Sequence, residues 1–342
     1  MPTTYAIPDG RVAIAATLYT GTLLSNAVSN AVNGVSFQPD WVWIKSRSAA
    51  TDNKLTDSVR GVTKGLVSNS TAAETTDTQG LTALSSGGFT VGTNTDYNNL
   101  AATYVAWQWK AGGTAVSNTA GSITSSVSAN TTAGFSVVTY TGTGANATVG
   151  HGLGVAPSMI ICKNRGSVTA WIVGFTYSGF TWTTDYFQLN DAGAKRTDGA
   201  GTVFSAVPTS TTFAIGSNFS SSNFVAYCFV PVAGYSAFGS YTGNGSADGP
   251  FVYTAMRPRF LMVKRTDSTG TWEMYDTSRD TFNVMSADLA ANLSDAEVSV
   301  ARFDSVSNGF KLRNTGAAVN ASGGTYIYMA FAENPFKYAN AR

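Results

Sequence analysis

Apolar and polar positions along the chain follow an order that is written three times. Residues 39–47 read PDWVWIKSR: a proline, one polar residue, four apolar residues and a lysine. The order returns as PSMIICKNR from Pro157 and as PRFLMVKRT from Pro258, which puts Lys45, Lys163 and Lys264 in register. The steps 157 − 39 = 118 and 258 − 39 = 219 hold without a gap as far as Gly61, Gly179 and Asp280. A run apolar at every position predicts a strand buried on both faces, or the central strand of a sandwich. A Tyr-Thr-Gly precedes each copy, at Tyr19, Tyr140 and Tyr241. A short aromatic strand closes each one: YVAWQW from Tyr104, FVAYCF from Phe224 and YIYMAF from Tyr326. The period exceeds the roughly 20–50 residues of solenoid units, so each copy is long enough to be a small domain.

Between the apolar runs lie turn-rich stretches such as NGVSFQPD, SNSTAAETTD and GTNTDYNN, which punctuate strands rather than helices. Pro2, Pro8 and Asp9-Gly10 mark a lead-in over residues 1–16. Helical periodicity is nearly absent, and only SADLAANLSDAEV, residues 286–298, predicts a short helix. The expected architecture is all-β, with three tandem sandwich-like domains related by the internal repeat. Residues 1–112 hold the first unit with its lead-in, 113–233 a linker and the second unit, and 234–342 the third. Residues 111–133, rich in Ser, Thr, Ala and Gly, read as that linker. The alternation of Ile123 and Val127 with Ser and Thr equally allows an extra edge strand of unit two. Only VPVAG joins units two and three, so those two are expected to pack rigidly, with units one and two mobile or separated.

Charge changes the picture by exclusion. Charged residues are 12% of the chain and the net charge is +1, with no basic or acidic block. That argues against nucleic acid, which needs a basic stripe, and against an anionic membrane surface. No apolar run approaches 18 residues, so no membrane insertion is expected, and MPTTYAIPDGR lacks the marks of a secretory leader. Residues 1–110 hold 14 charged side chains, 111–233 hold 7 and 234–342 hold 20. The nearly neutral unit two carries seven aromatics in WIVGFTYSGFTWTTDYF, residues 171–187. Core strands are the first reading. An exposed aromatic patch for a subunit interface or a glycan is the sharper one, with Trp171, Tyr177, Trp182 and Tyr186 as its residues. Alternate residues of a strand face opposite ways, so both can hold in part.

Candidate chemistry is sparse. Cys162 and Cys228 align with Ile44 and Val263, and with Gln108 and Ala330, so they read as small buried residues, and whether they pair stays open. Too few ligands exist for a zinc or redox site, and no cofactor or metal is expected. His151, the single histidine, lacks a partner for a triad. Asp57 and Arg60 recur as Asp276 and Arg279, whereas unit two has Phe175 and Ser178 there. Such a pair reads as a local ion pair fixing a surface turn, of little net stability; a ligand site of Lys45, Asp57 and Arg60 is the alternative. A glycosidase needs two carboxylates about 5–10 Å apart. The four glutamates, Glu74, Glu273, Glu297 and Glu333, lie in no strand with acids at alternate positions, and those of units one and three fall at unrelated points of the repeat. No GxSxG, HExxH or phosphate loop is present.

The strings FQPDWVWIKSR, TDSVRG, GGFTVG, YVAWQWKAGG and GFSVVTYTGTGANATVGHGLGVAPSMIICKNR resemble a domain of unknown function. That domain recurs, often in tandem, in structural proteins of tailed, mostly marine, bacteriophages. The resemblance implies β-sandwiches of jelly-roll or lectin-like type and a place on the virion surface. It implies no agreed activity. The expected function is therefore non-enzymatic: a virion structural protein, foremost a tail-fibre or adhesion component. Its partners would be other virion proteins, a host-surface glycan, and sister copies in a homo-oligomer for which virion context suggests a trimer. A capsid decoration or head fibre is the first alternative, and a polysaccharide depolymerase the second.

Overall fold

The structure, a computed structural model, describes residues 5–199 and 201–335, the last three by their backbone alone. Pro2 and the side chain of Glu333 lie outside the described residues. The protein is all-β, with several antiparallel sheets. In unit one, a six-stranded sheet runs in the order Ile14–Thr20, Thr103–Trp109, Trp41–Ser46, Lys54–Asp57, Lys64–Val67 and Thr75–Thr76. Its outer face is covered by a three-stranded sheet of Asn26–Ser29, Gly88–Val91 and Leu81–Ser85. Units two and three repeat the central order, with Asn223–Phe229 beside Met159–Asn164 and Thr325–Pro335 beside Met256–Arg265. In unit three, a single eight-stranded sheet curls over itself, nearly closing into a barrel.

The non-alternating runs have a direct cause. Successive side chains of a strand point to opposite faces, and here both faces are dry. Trp41 and Trp43 enter one core while Val42 and Ile44 enter another. Met159 and Ile161 divide from Ile160 and Cys162 in the same way, as do Phe260 and Met262 from Leu261 and Val263. The second member of each pairing fills the private core of its own unit. The first members, with Trp107, Tyr227 and Met329 of the closing strands, all belong to one core shared by the three units.

Aromatic rings knit the shared core. Trp41 of unit one stacks on Tyr227 of unit two with centroids 4.3 Å apart. Trp109 meets Phe260 of unit three edge-on at 5.4 Å, and Phe229 of unit two meets Phe331 of unit three at 6.1 Å. The expectation that units one and two are mobile or separated is therefore corrected: a common apolar core holds all three.

The Tyr-Thr-Gly landmarks also find their reason. Each tyrosine lies cross-strand from the first ring of its closing strand: Tyr19 stacks on Tyr104 at 5.0 Å, Tyr140 on Phe224 at 5.4 Å and Tyr241 on Tyr326 at 4.9 Å. The glycine admits a neighbouring carbonyl. A Cβ on Gly21, Gly142 or Gly243 would come within 2.0, 2.3 or 2.4 Å of the oxygens of Asn99, Ser220 and Ala321.

One local expectation is overturned, and one open alternative is decided. Residues 286–298 form no helix: Met285–Ala290 is a strand, paired through Ala290 to Glu273 and through Asp288 to Val298. Tertiary pairing outweighs the helical preference of an Ala- and Leu-rich stretch. Of the two readings of residues 111–133, the edge strand holds: Val116–Asn118 and Ser125–Asn130 extend the sheet of unit two at its edge. Ala111 and Ala133, at the two ends of that segment, sit in the shared core.

Candidate functional site

The three repeat lysines show how the units are joined. Each is the third residue on the shared-core face of its strand, after Trp41 and Trp43, Met159 and Ile161, or Phe260 and Met262, and each is buried. Lys45 donates to Ser294 O of unit three at 3.0 Å. Lys163 donates to Thr71 O of unit one at 3.1 Å, and Lys264 to Ala192 O of unit two at 3.1 Å. Unit one thus grips three, three grips two, and two grips one. Three heterologous contacts that close on themselves make a ring, here within a single chain. Burial pushes each lysine down to about 8.

Further contacts follow the same cyclic order. The Trp171 indole N–H donates to Val67 O at 2.8 Å and that of Trp272 to Gln188 O at 2.9 Å. Asn53, at the matching repeat position, donates to Leu293 O at 2.8 Å. Two of the three seams carry a charged clamp. Arg47 holds Glu297 at 2.7 and 2.9 Å, and Arg165 holds Glu74 at 2.8 and 2.9 Å. Each glutamate also takes an inner arginine of its own unit: Glu297 from Arg279 at 3.1 Å, Glu74 from Arg60 at 3.0 Å. Burial pushes both carboxyls up, but the arginines outweigh it and leave them below their ordinary value. The expectation that these glutamates fall at unrelated points is corrected. Each sits at the same place of its seam, its N–H bonded to the carbonyl of the clamping arginine at 2.9 Å.

The ion pairs Asp57–Arg60 and Asp276–Arg279 are present, but the surface turn expected for them is not; all four side chains are fully buried. Each aspartate also accepts a bond from the neighbouring unit. Tyr227 O–H reaches Asp57 at 2.8 Å, and Trp107 Nε1–H reaches Asp276 at 3.0 Å. Tyr227 and Trp107 occupy equivalent positions in their closing strands, and the third equivalent is Met329. Methionine has no proton to give, so unit two needs no acceptor. Phe175 stands there instead, packed 6.3 Å from Phe238 of unit three. Burial raises the Asp276 carboxyl, yet Arg279 and the bonds it accepts prevail and hold it below its ordinary value.

The four aromatic candidates do not form an exposed patch. Trp171 is buried at the seam with unit one. Trp182 is buried in the private core of unit two, edge-on to Phe204 at 5.1 Å. Tyr186 is half-buried beside a cavity of about 180 Å³ within unit two. Tyr177 is half-buried and lines a cleft of about 480 Å³ between units two and three. Cys162 and Cys228 are free and buried. Their strands are adjacent, but Cys228 lies opposite Ile160 and Cys162 opposite Ala226, and such diagonal neighbours stand about 7–8 Å apart, beyond disulfide reach. His151 is buried, accepts from Leu153 N–H through Nδ1 and meets Thr209 O through Nε2. Among the described residues, no three His, Cys, Asp or Glu side chains converge as a metal site would need. No helix among the described residues is long and apolar enough to cross a membrane.

One acid pair escaped the sequence because it is built between strands. Glu273 and Asp288, on neighbouring strands of unit three, are buried side by side, with Arg302 within 4.0 Å of the first and 3.1 Å of the second. Arg302 donates to Asp288 at 3.1 Å. Burial, then the neighbouring Asp288 carboxyl, push the Glu273 carboxyl up to about 8. The folded state thus holds a proton between about 4.5 and 8 that the unfolded chain releases, so stability falls as pH rises through that window. The expected loss is on the order of a few kcal/mol, read from urea midpoints at stepped pH. Glu273→Gln should flatten the slope. The buried lysines act with opposite sign, regaining stability only as pH climbs above about 8.

No curated protein matches the chain. A family model described as a domain of unknown function, DUF7483, matches residues 13–335 and so runs through all three units and the ring they close. The chain belongs to that family.

Proposed function

We propose that the protein is a non-enzymatic structural component of a tailed-phage particle, a tail-fibre or adhesion module on the virion surface. Its loops would touch a host-surface glycan or other virion proteins. The observation that carries the reading is the use made of its ionisable groups. Three lysines, two Asp–Arg pairs and two glutamates are bound into the seams of a closed ring. Groups that would serve catalysis elsewhere serve architecture here. The virion context comes from the sequence resemblance. In this reading the threefold body that a homotrimer would supply is contained in one chain, so one copy suits a threefold position.

The Glu273–Asp288 pair is what a depolymerase reading would rest on. Both carboxyls are buried and face the Arg302 guanidinium, whereas glycoside hydrolysis needs an accessible pair that flanks the sugar, about 5–10 Å apart, so the structural reading is preferred. Immunogold labelling of intact virions with antibody against this chain tests it. Gold at the tail or its fibres is expected. Gold over the head would replace adhesion by capsid decoration, and unlabelled particles would overturn the virion reading.

A further inference from the structure

The three seams of the ring are built alike, but one is left open. At two of them the space beside the repeat lysine is filled by an arginine, a glutamate and a second arginine: Arg47, Glu297 and Arg279, or Arg165, Glu74 and Arg60. At the seam between units two and three the repeat puts Thr266 for the first arginine and Ser178 for the second. Lys195 stands for the glutamate, its N–H bonded to Thr266 O at 2.9 Å as the glutamates are bonded in the other seams. No Arg–Glu clamp forms there. All three replacements line the cleft of about 480 Å³, a size within the ~300–1,000 Å³ usual for small-ligand sites. Positions where a chain abandons its own structural rule are where function is expected.

We propose that this cleft binds a neutral saccharide. The charges in it are already neutralised: Lys195 pairs with Asp185 at 2.7 Å, and Asp267 with Arg265 at 3.0 Å. That leaves no surplus charge for a phosphate or an acidic sugar. The walls offer hydroxyls able both to donate and to accept, from Ser178, Ser240 and Thr242, beside the Asp267 carboxylate as an acceptor. A sugar presents the same kind of mixed hydroxyls. Its C–H faces need an apolar plane, and Tyr177 supplies one, held against Phe175 at 6.2 Å and Phe180 at 5.9 Å. The proposal rests on the adhesion reading for its biological sense, but its geometry stands apart from it.

The test is saturation-transfer NMR of the full chain with maltose, lactose and chitobiose, and with glucose 1-phosphate as the charged control. Binding of at least one neutral disaccharide, stronger than of the phosphate, is expected. The double variant Thr266→Arg/Lys195→Glu places an Arg–Glu pair where the other seams have theirs and should weaken binding at least tenfold, with a lowered melting temperature because Asp185 loses its Lys195 partner. Tyr177→Ala should weaken it similarly. No binding of any of the three disaccharides overturns the proposal, as does undiminished binding by both variants, or a preference for the phosphate. Saccharide binding without label on virions would retain the cleft and reject the phage reading; virion label without binding would do the reverse.

Discussion

Asp57→Ala is expected to cost about 3–5 kcal/mol of unfolding free energy, as removing one partner of a buried ion pair does. The carboxylate accepts from Arg60, from the backbone N–H of Val59 and Arg60, and from Tyr227 O–H of unit two. Alanine would leave the buried Arg60 guanidinium with Glu74 as its one acidic partner and would leave the Tyr227 hydroxyl proton without its acceptor, while its oxygen still accepts from Arg60 at 3.3 Å. Urea unfolding measures the loss. The chain also contains its own control. Unit two places Phe175 and Ser178 at these positions, and the unit-three residue equivalent to Tyr227 is Met329, in the same shared core as Phe175. Transplanting that solution as Asp57→Phe/Arg60→Ser/Tyr227→Met should lose less than Asp57→Ala alone. Such non-additivity is the mark of groups that act together. A triple variant less stable than the single one would show that the aspartate does not answer its neighbour's donor.

Trp41→Ala should cost a similar amount, about 3–5 kcal/mol for a large buried aromatic. The indole lies 4.3 Å from Tyr227, 4.6 Å from Trp109 and 5.8 Å from Phe135, so it touches two units at once. Its loss should therefore speed amide hydrogen exchange in the central strands of units two and three as much as in unit one. Acceleration confined to unit one would mean that each sandwich stands on its own private core.

Much of the strand framework could be read from the residues. WVWIK, MIICK and FLMVK announced strands buried on both faces, and they are. What covers the second face could not be read, because a buried face looks the same whether a private sheet or a sister unit lies against it. The lysine ending each run was the one clue: a charge on a dry face must meet carbonyls, and one of these comes from the next unit each time. Equivalence of Glu74 and Glu297 was hidden by loop length, since 297 − 74 = 223 where the repeat step is 219. Shared neighbours, Ala73-Glu74 and Ala296-Glu297, were the available signal. The Glu273–Asp288 pair was hidden because it depends on which strands are adjacent. Of the four aromatics singled out in unit two, only Tyr177 reaches the cleft between units; sequence shows that rings cluster but not which of them the fold leaves at an edge.

The central claim is that three repeats form one body through a shared core and a closed ring of seams. Scanning calorimetry of the whole chain tests it most directly. The account predicts a single transition whose calorimetric and van't Hoff enthalpies agree. At about 0.7 kcal/mol per residue near 60 °C, the 342 residues should give about 240 kcal/mol in one step. Two or three separate transitions, each with an enthalpy of roughly 80 kcal/mol as for a unit of about 110 residues, would contradict it.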